Sequence, residues 1–410
     1  MKRVIYLLPI ILITLLTACG GAPSAIEPPP AESGFDYADW DAVVEAARGT
    51  AVTYVGYGGD DALNEWILGS FAQTLKEKYD ITLEYVMGLE FPGQIAAEKE
   101  LGVTAGSFDV CWVNGVNFLT MRENGLLFGP YNDYLPNFEA TIDLAANDTN
   151  YDFTYPIEGY ETPFSTAQLI LINDAALTPE TPANAAELLA FVQKYPGQVT
   201  YPSSEHFTGA AFIRNLIYEI CGYEQFLTME ADYDTVYAAV SPAMEYLRQL
   251  NPYLWKAGAT FPAELTLLDN MFINGETALM LSYGPYDVGG KIKKGLYPET
   301  ARAFLFDGGT VGNTSYWAIP YNAPNRAGAL VAINEMLSPA MQLSKLRVAE
   351  EPFVTDLSKL SPADQAAFAA VDLGPNNVPA AEMAAKRLPE YSAAIEKIVT
   401  GIWLAEVVGK

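Results

Sequence analysis

The 410-residue chain is 50% hydrophobic and carries 50 Asp and Glu against 23 Lys and Arg, a formal net charge of −27 at pH 7. That balance disfavours nucleic acid and anionic membrane surfaces as partners, because both require clustered Lys and Arg. His206 is the only histidine, which excludes multi-histidine metal centres and leaves a Ser-His-Asp triad one possible base.

At the N-terminus, Lys2 and Arg3 precede an apolar run from Val4 to Leu16, followed by Leu16-Thr17-Ala18-Cys19. A basic start, a short apolar core and small residues before a cleavage point mark a secretory signal. The run is shorter than the roughly 20 residues of a membrane-spanning helix. Leu-Thr-Ala-Cys resembles a bacterial lipoprotein cleavage box, which implies a signal over 1–19 and a lipid on the Cys19 thiol. Residues 20–36 hold Pro23, Pro28, Pro29 and Pro30 without periodicity and read as a disordered tether. The mature chain is expected outside the cytoplasmic membrane, where ATP and reduced nicotinamide are absent. Cys111 and Cys221 read as small buried apolar residues; pairing is the alternative in an oxidising compartment.

Ala51 to Val55 predicts a strand that runs into Gly56-Tyr57-Gly58-Gly59-Asp60-Asp61. Leu63, Trp66, Ile67, Phe71 and Leu75 then recur at helical spacing, with Asp60 or Asp61 as the cap. Ile81 to Met87 and Asp109 to Val113 are two further strands, with helices between. Apolar strands alternating with helices argue for a mostly parallel sheet covered on both faces. The same order resumes after Glu161. Gln168 to Ile172 reads as a strand, Ala183 to Tyr195 as a helix and Gln198 to Tyr201 as a strand. A helix over Gly209 to Ile220 and a buried strand over Ala278 to Tyr283 follow. Two α/β units in series account for this most simply.

Several segments together resemble the family-1 extracellular solute-binding proteins of bacterial ABC importers. Tyr54-Val55-Gly56-Tyr57-Gly58-Gly59-Asp60 stands where the family's first strand opens into the ligand cleft. Phe108-Asp109-Val110-Cys111-Trp112-Val113-Asn114-Gly115 is similar to a strand ending in a ligand-facing loop. Gly159 to Gln168 resembles the first crossing between lobes, Phe272 to Met280 the recurring Asn-Gly-Glu-x-Ala-Met segment, and Gly308 to Pro320 the return crossing. The resemblance implies an α/β, two-lobed periplasmic-binding-protein fold of type II. Lobe 1 would comprise 37–162 with 311–345, and lobe 2 163–310 with 346–410. It further implies a monomeric, non-enzymatic lipoprotein that uses no cofactor and delivers a small solute to the transmembrane subunits of a permease.

Ligands of open α/β sheets sit beyond the carboxyl ends of strands. This points to Tyr57, Gly58, Gly59 and Asp60, with a tight turn and a helix cap as the alternative reading. Asn114 ends the Cys111 strand, as a ligand contact or as a turn asparagine. Ser165 and Gln168 offer neutral polar contacts on the first crossing. Thr208 and Gly209 open a helix whose N–H groups could meet a polar ligand, or else form a plain capped helix. Tyr283 would stack by analogy, and Asn313 and Thr314 belong to the return crossing, where Trp317 reads as core. No Tyr-Tyr pair of the iron-binding type occurs. Aromatic and acidic residues favour a cationic or zwitterionic solute over a sugar or phosphorylated one. A secreted carboxylate-based hydrolase and a receptor-docking ligand sensor are the competing functions.

Overall fold

A computed structural model describes residues 35–410. The expected signal, Cys19 and the tether up to residue 34 lie outside the described residues. The strands in chain order are β1 (Ala51–Gly56), β2 (Thr82–Met87), β3 (Val110–Val113), β4 (Leu127–Phe128), β5 (Tyr151–Asp152), β6 (Tyr155–Pro156), β7 (Glu161–Gln168), β8 (Ile170–Asp174), β9 (Leu279–Ser282), β10 (Ala301–Phe304), β11 (Thr310–Pro320) and β12 (Arg387–Leu388).

β1 is apolar along its length because both of its faces are covered. Val52 and Tyr54 enter one core cluster and Val55 enters another on the opposite face. β1 pairs in parallel with β2 and β3, and β3 runs antiparallel to β11. β11 in turn pairs antiparallel with β7 over most of its length. Asp60 caps the helix Asp61–Trp66 as expected, its carboxylate accepting from the Leu63 N–H at 2.8 Å. That helix widens into a π turn at Ile67–Phe71 before resuming over Ala72–Tyr79.

The second sheet has the order β10-β8-β9, and both pairings are antiparallel. The expectation of a mostly parallel sheet fails in this lobe. An apolar run reports burial on both faces but carries no signal of direction. Gln198 to Tyr201 is not a strand either. Its backbone makes single bonds, Trp255 N–H to Val199 O at 2.8 Å and Ala278 N–H to Gln198 O at 2.6 Å, without forming a ladder. The other second-lobe elements stand close to expectation, with helices at Ala185–Lys194 and Phe207–Cys221. Cys111 is buried, Cys221 half-buried, and both are free.

Each sheet has its own core. Around the first, Trp317 packs against Tyr54 (ring centroids 4.5 Å apart), Phe164 (5.1 Å) and Phe71 (5.4 Å). The second gathers Leu169 to Ile172 with the helices Phe207–Cys221, Tyr233–Leu250 and Ala393–Glu406. The junction runs through the crossing strands and not at single residues. Phe164 belongs to the first core and Val311 to the second, and Ala349 and Val354 still pack on the first core past residue 346. These placements differ from the expected lobe boundaries because each crossing strand feeds both cores along its length.

Trp317→Ala should destabilise the first sheet's unfolding transition by about 3–5 kcal/mol, the range for a buried aromatic truncation. Urea denaturation followed by far-UV circular dichroism checks this; a loss below about 1 kcal/mol contradicts the central packing role of Trp317.

Candidate functional site

The site is organised by strand alternation. In the β7–β11 register Ser165 lies opposite Ser315, Ala167 opposite Asn313, and Thr166 opposite Thr314. Successive strand residues point to opposite faces. Ser165, Asn313 and Ser315 therefore share one face, the front, and Thr166 and Thr314 share the rear.

Three carboxylates gather at the front. Asp60 stands at the end of the turn after β1. Asp287 is the first residue of the helix Asp287–Lys293 after β9, and the Ser282 hydroxyl donates to its carboxylate. Glu351 follows the helix Pro339–Ala349, at a segment tied to β7 by the Ser165 hydroxyl donating to Pro352 O at 2.8 Å. Burial pushes the carboxyl pKa of Asp287 and of Glu351 upward. The charge of Asp60 adds to both shifts, and that of Asp287 adds to the shift of Glu351. Opposing this, Lys345 and a Ser165 hydrogen bond favour ionised Glu351, while Lys291 and Ser282 favour ionised Asp287.

Lys345 is fully buried. Its ammonium donates to Phe164 O and lies 4.2 Å above the Phe164 ring. Burial pushes its pKa down, against the charge of Glu351. Lys291 is already engaged with Asp269, at 3.0 Å. Among the described residues neither Asp60 nor Asp287 forms an ion pair. The front thus holds more negative charge than its own side chains compensate.

Tyr57 is 50% exposed, with its ring centroid 6.0 Å from that of Trp112, and it covers Gly59. Gly58 has φ +74°, and its carbonyl accepts from Asn64 Nδ2 at 3.0 Å, so a glycine-requiring turn aims Asp60. Asn313 is buried and its Nδ2 has no partner among the described residues. Tyr57, Gly58, Gly59, Asp60, Ser165 and Asn313 therefore lie at the front or on the turn leading to it. Asn114 sits in a turn at the end of β3, where the Gly115 N–H donates to Asp152 Oδ2 at 2.5 Å.

The remaining expected residues are engaged elsewhere. Thr314 donates to Asp148 Oδ2 at 2.6 Å on the rear, and Gln168 Nε2 donates to Thr310 Oγ1 at 3.1 Å. The Tyr283 hydroxyl donates to Glu390 at 2.5 Å, and its ring meets the Phe207 ring edge-on at 4.9 Å. Thr208 is buried and its N–H already donates to His206 Nδ1 at 3.1 Å. A Cβ on Gly209 would stand 2.2 Å from Ser203 O, so this glycine serves a close helix–loop contact. Asp287, Glu351 and Lys345 escaped the sequence reading. Asp287 had a usable signal, since Tyr283-Gly284-Pro285-Tyr286-Asp287 repeats the strand, tyrosine, glycine, aspartate order of Tyr57 to Asp60. Glu351 and Lys345 had none.

The profile of the family described as "Bacterial extracellular solute-binding protein" matches residues 70–369. Protein YnjB of Escherichia coli (strain K12) is 34% identical over 332 residues, which span 78% of this chain and 84% of that protein. The spermidine/putrescine ABC transporter substrate-binding protein PotD of Streptococcus pneumoniae superposes with a TM-score of 0.60 at 15% identity, covering 87% of this chain and 97% of that one. The bacterial solute receptor AcbH, described as having an exclusive preference for β-D-galactopyranose, superposes at 0.64 and 14% identity, covering 88% and 100%. At these identities the two structures share the fold, and their differing ligands say nothing about this solute.

The hairpin residue that holds the turn at Asn114 also sets a pH dependence. Burial is the main cause pushing Asp152 from 3.8 up to about 8, with the Gly115 N–H opposing and Asp148 adding. A carboxyl whose folded pKa is raised binds more protons folded than unfolded, so its contribution is full below its unfolded pKa and is lost as pH rises to about 8. Asp152→Asn should remove a slope of up to about 1.4 kcal/mol per pH unit across that window. Chemical denaturation at stepped pH reads this directly; an unchanged slope contradicts it.

Proposed function

The chain belongs to the bacterial extracellular solute-binding proteins, non-enzymatic substrate-binding proteins of ABC importers, and we propose that it captures a small organic cation between its two lobes. The observation that carries this reading is the meeting of Asp60, Asp287 and Glu351 from the first lobe, the second lobe and the segment linking them. A cation placed among them supplies the missing countercharge and touches both lobes at once. Closure is then favoured by the difference in contact between the closed and open states, which sets the upper limit of the shift.

Tyr57 and Tyr286 flank the two aspartates in sequence and suit cation–π contact. Ser165 and the unpartnered Asn313 amide suit the polar remainder of such a solute. No group of three or more His, Cys, Asp or Glu side chains among the described residues is arranged to hold a metal ion. This favours an organic cation over an inorganic one. In the same reading the lobes meet along β7 and β11, a lipid on Cys19 tethers the monomer outside the membrane, and the loaded form docks on the permease.

A panel of primary-amine, quaternary-ammonium, carboxylate and neutral sugar compounds, screened by thermal shift, separates the classes. Cations should stabilise the protein. Asp287→Asn should weaken the best of them at least tenfold, and acidification should weaken it too, as Asp287 and Glu351, whose carboxyl pKa burial raises, take up protons. A carboxylate or sugar that binds equally well with and without Asp287 contradicts the reading.

A further inference from the structure

The turn of the β5–β6 hairpin has a backbone that its residues disfavour. Tyr151 pairs with Pro156 and Asp152 with Tyr155, which leaves a two-residue loop of Phe153 and Thr154. Their φ angles are +45° and +67°. Two-residue loops of this kind normally take Asn-Gly, and a bulky or β-branched residue at positive φ is an outlier. Such strain persists only where the surroundings impose it, and it gathers at functional positions. The first lobe holds the hairpin at its base. The Gly115 N–H donates to Asp152 Oδ2 at 2.5 Å, Tyr155 meets the Phe118 ring edge-on at 5.9 Å, and the Tyr316 hydroxyl donates to Tyr151 O at 3.4 Å.

The tip reaches the other lobe. The Phe153 ring lies against Gly115, where an added Cβ would come within 3.1 Å of it, and the Arg214 guanidinium stands 5.7 Å from the ring centre. Arg214 belongs to the helix Phe207–Cys221 of the second core. It is buried, ion-paired with Glu390 and Glu396 and set 4.6 Å above the Tyr391 ring, which makes it a fixed point of that lobe. Two further contacts join the lobes nearby. The helix Val116–Glu123, which starts directly after Gly115, touches the helix Ala393–Glu406, which carries Glu396. Asp148, just before the hairpin, pairs at 2.7 Å with Arg387 of β12, whose next residue Leu388 packs on the second core.

We infer that the β5–β6 hairpin is a clasp between the lobes, with Phe153 as the residue that reaches across. A tip of Asn-Gly would close the same hairpin without strain and would touch nothing on the second lobe. The strained turn is accounted for by the contact it makes, a ring held between the Gly115 turn of one lobe and the anchored guanidinium of the other. A guanidinium within about 6 Å of an aromatic centre is attracted to it, and losing one such contact changes an equilibrium between lobe arrangements about two- to fivefold. The clasp favours the arrangement in which the contact is made, and it acts through the lobes without using Asp60, Asp287 or Glu351. The inference is therefore independent of which solute binds.

The test measures lobe separation in the ligand-free protein. Ala46→Cys on the helix Trp40–Ala47 and Ala238→Cys on the helix Tyr233–Leu250 give one exposed site on each lobe for a pair of spin labels, in a Cys221→Ala background. Double electron–electron resonance then reads the distribution of distances between them. Phe153→Gly removes the ring and suits the turn. It should leave the urea midpoint unchanged or raised, while the population outside the original lobe separation grows about two- to fivefold. Phe153→Tyr, which keeps an aromatic face, should retain the original distribution. An unchanged distribution in Phe153→Gly overturns the proposal, and so does a Phe153→Tyr protein that behaves like Phe153→Gly. A lowered urea midpoint in Phe153→Gly also contradicts it, by making Phe153 a packing residue of the first lobe.

Discussion

Two antiparallel strands, β7 and β11, that belong wholly to neither lobe are the constraint on which everything else here depends. Their pairing from Thr162 to Gln168 against Gly312 to Trp317 ties two separately packed cores together. Because a strand alternates its side chains, the same ladder turns Ser165 and Asn313 to one face and Thr166 and Thr314 to the other. A one-residue slip would exchange the two sets. The ends of the ladder are held firmly. Trp317 is wedged among Tyr54, Phe71 and Phe164 in one lobe, and in the other the Val311 N–H donates to Asn215 Oδ1 at 2.9 Å.

The electrostatics on the two faces differ in kind. On the rear, ion pairs join Asp148 to Arg387 and Arg214 to Glu390 and Glu396, beside the buried carboxyl groups of Asp152 and Glu161, which form no ion pair among the described residues. At the front, Lys345 is the lysine set against Glu351, and Asp60 and Asp287 have no ion pair among the described residues. Carboxylates gathered without countercharge raise one another's pKa and oppose the approach of the surfaces that carry them. In the proposed reading the missing charge arrives with the solute. The overall charge of −27 does not produce this, since most of those acids are dispersed over the surface.

Much of the fold was legible because it follows from local pattern. The apolar runs of β1, β3, β8 and β9 announced strands covered on two faces, and Asp60 announced its helix. Strand direction in the second sheet was not legible, because periodicity is the same for either direction. Gln198 to Tyr201 has the composition of a strand but finds no neighbour to pair with. The candidate site was half legible for a related reason. Residues at a strand end, such as Tyr57 to Asp60, can be found from the turn that follows. Which face a crossing-strand residue takes depends on register, and so Thr314 and Gln168 were grouped with Asn313 and Ser165. Tyr283 is expected to stack on the ligand by analogy alone, and it turns to Glu390 while its neighbour Ser282 turns to Asp287. Glu351 and Lys345 come to the Ser165 and Phe164 segment of β7 through tertiary packing of the helix Pro339–Ala349, which leaves no local mark.

The most direct test of the account is a crystal structure of the protein carrying the solute it retains on purification. The account requires a positively charged group of that solute between Asp60 and Asp287, within hydrogen-bonding distance of at least one carboxylate from each lobe, with Glu351 beneath it. A solute seated on the rear face beside Thr314, or one presenting a carboxylate or phosphate to the two aspartates, would contradict it.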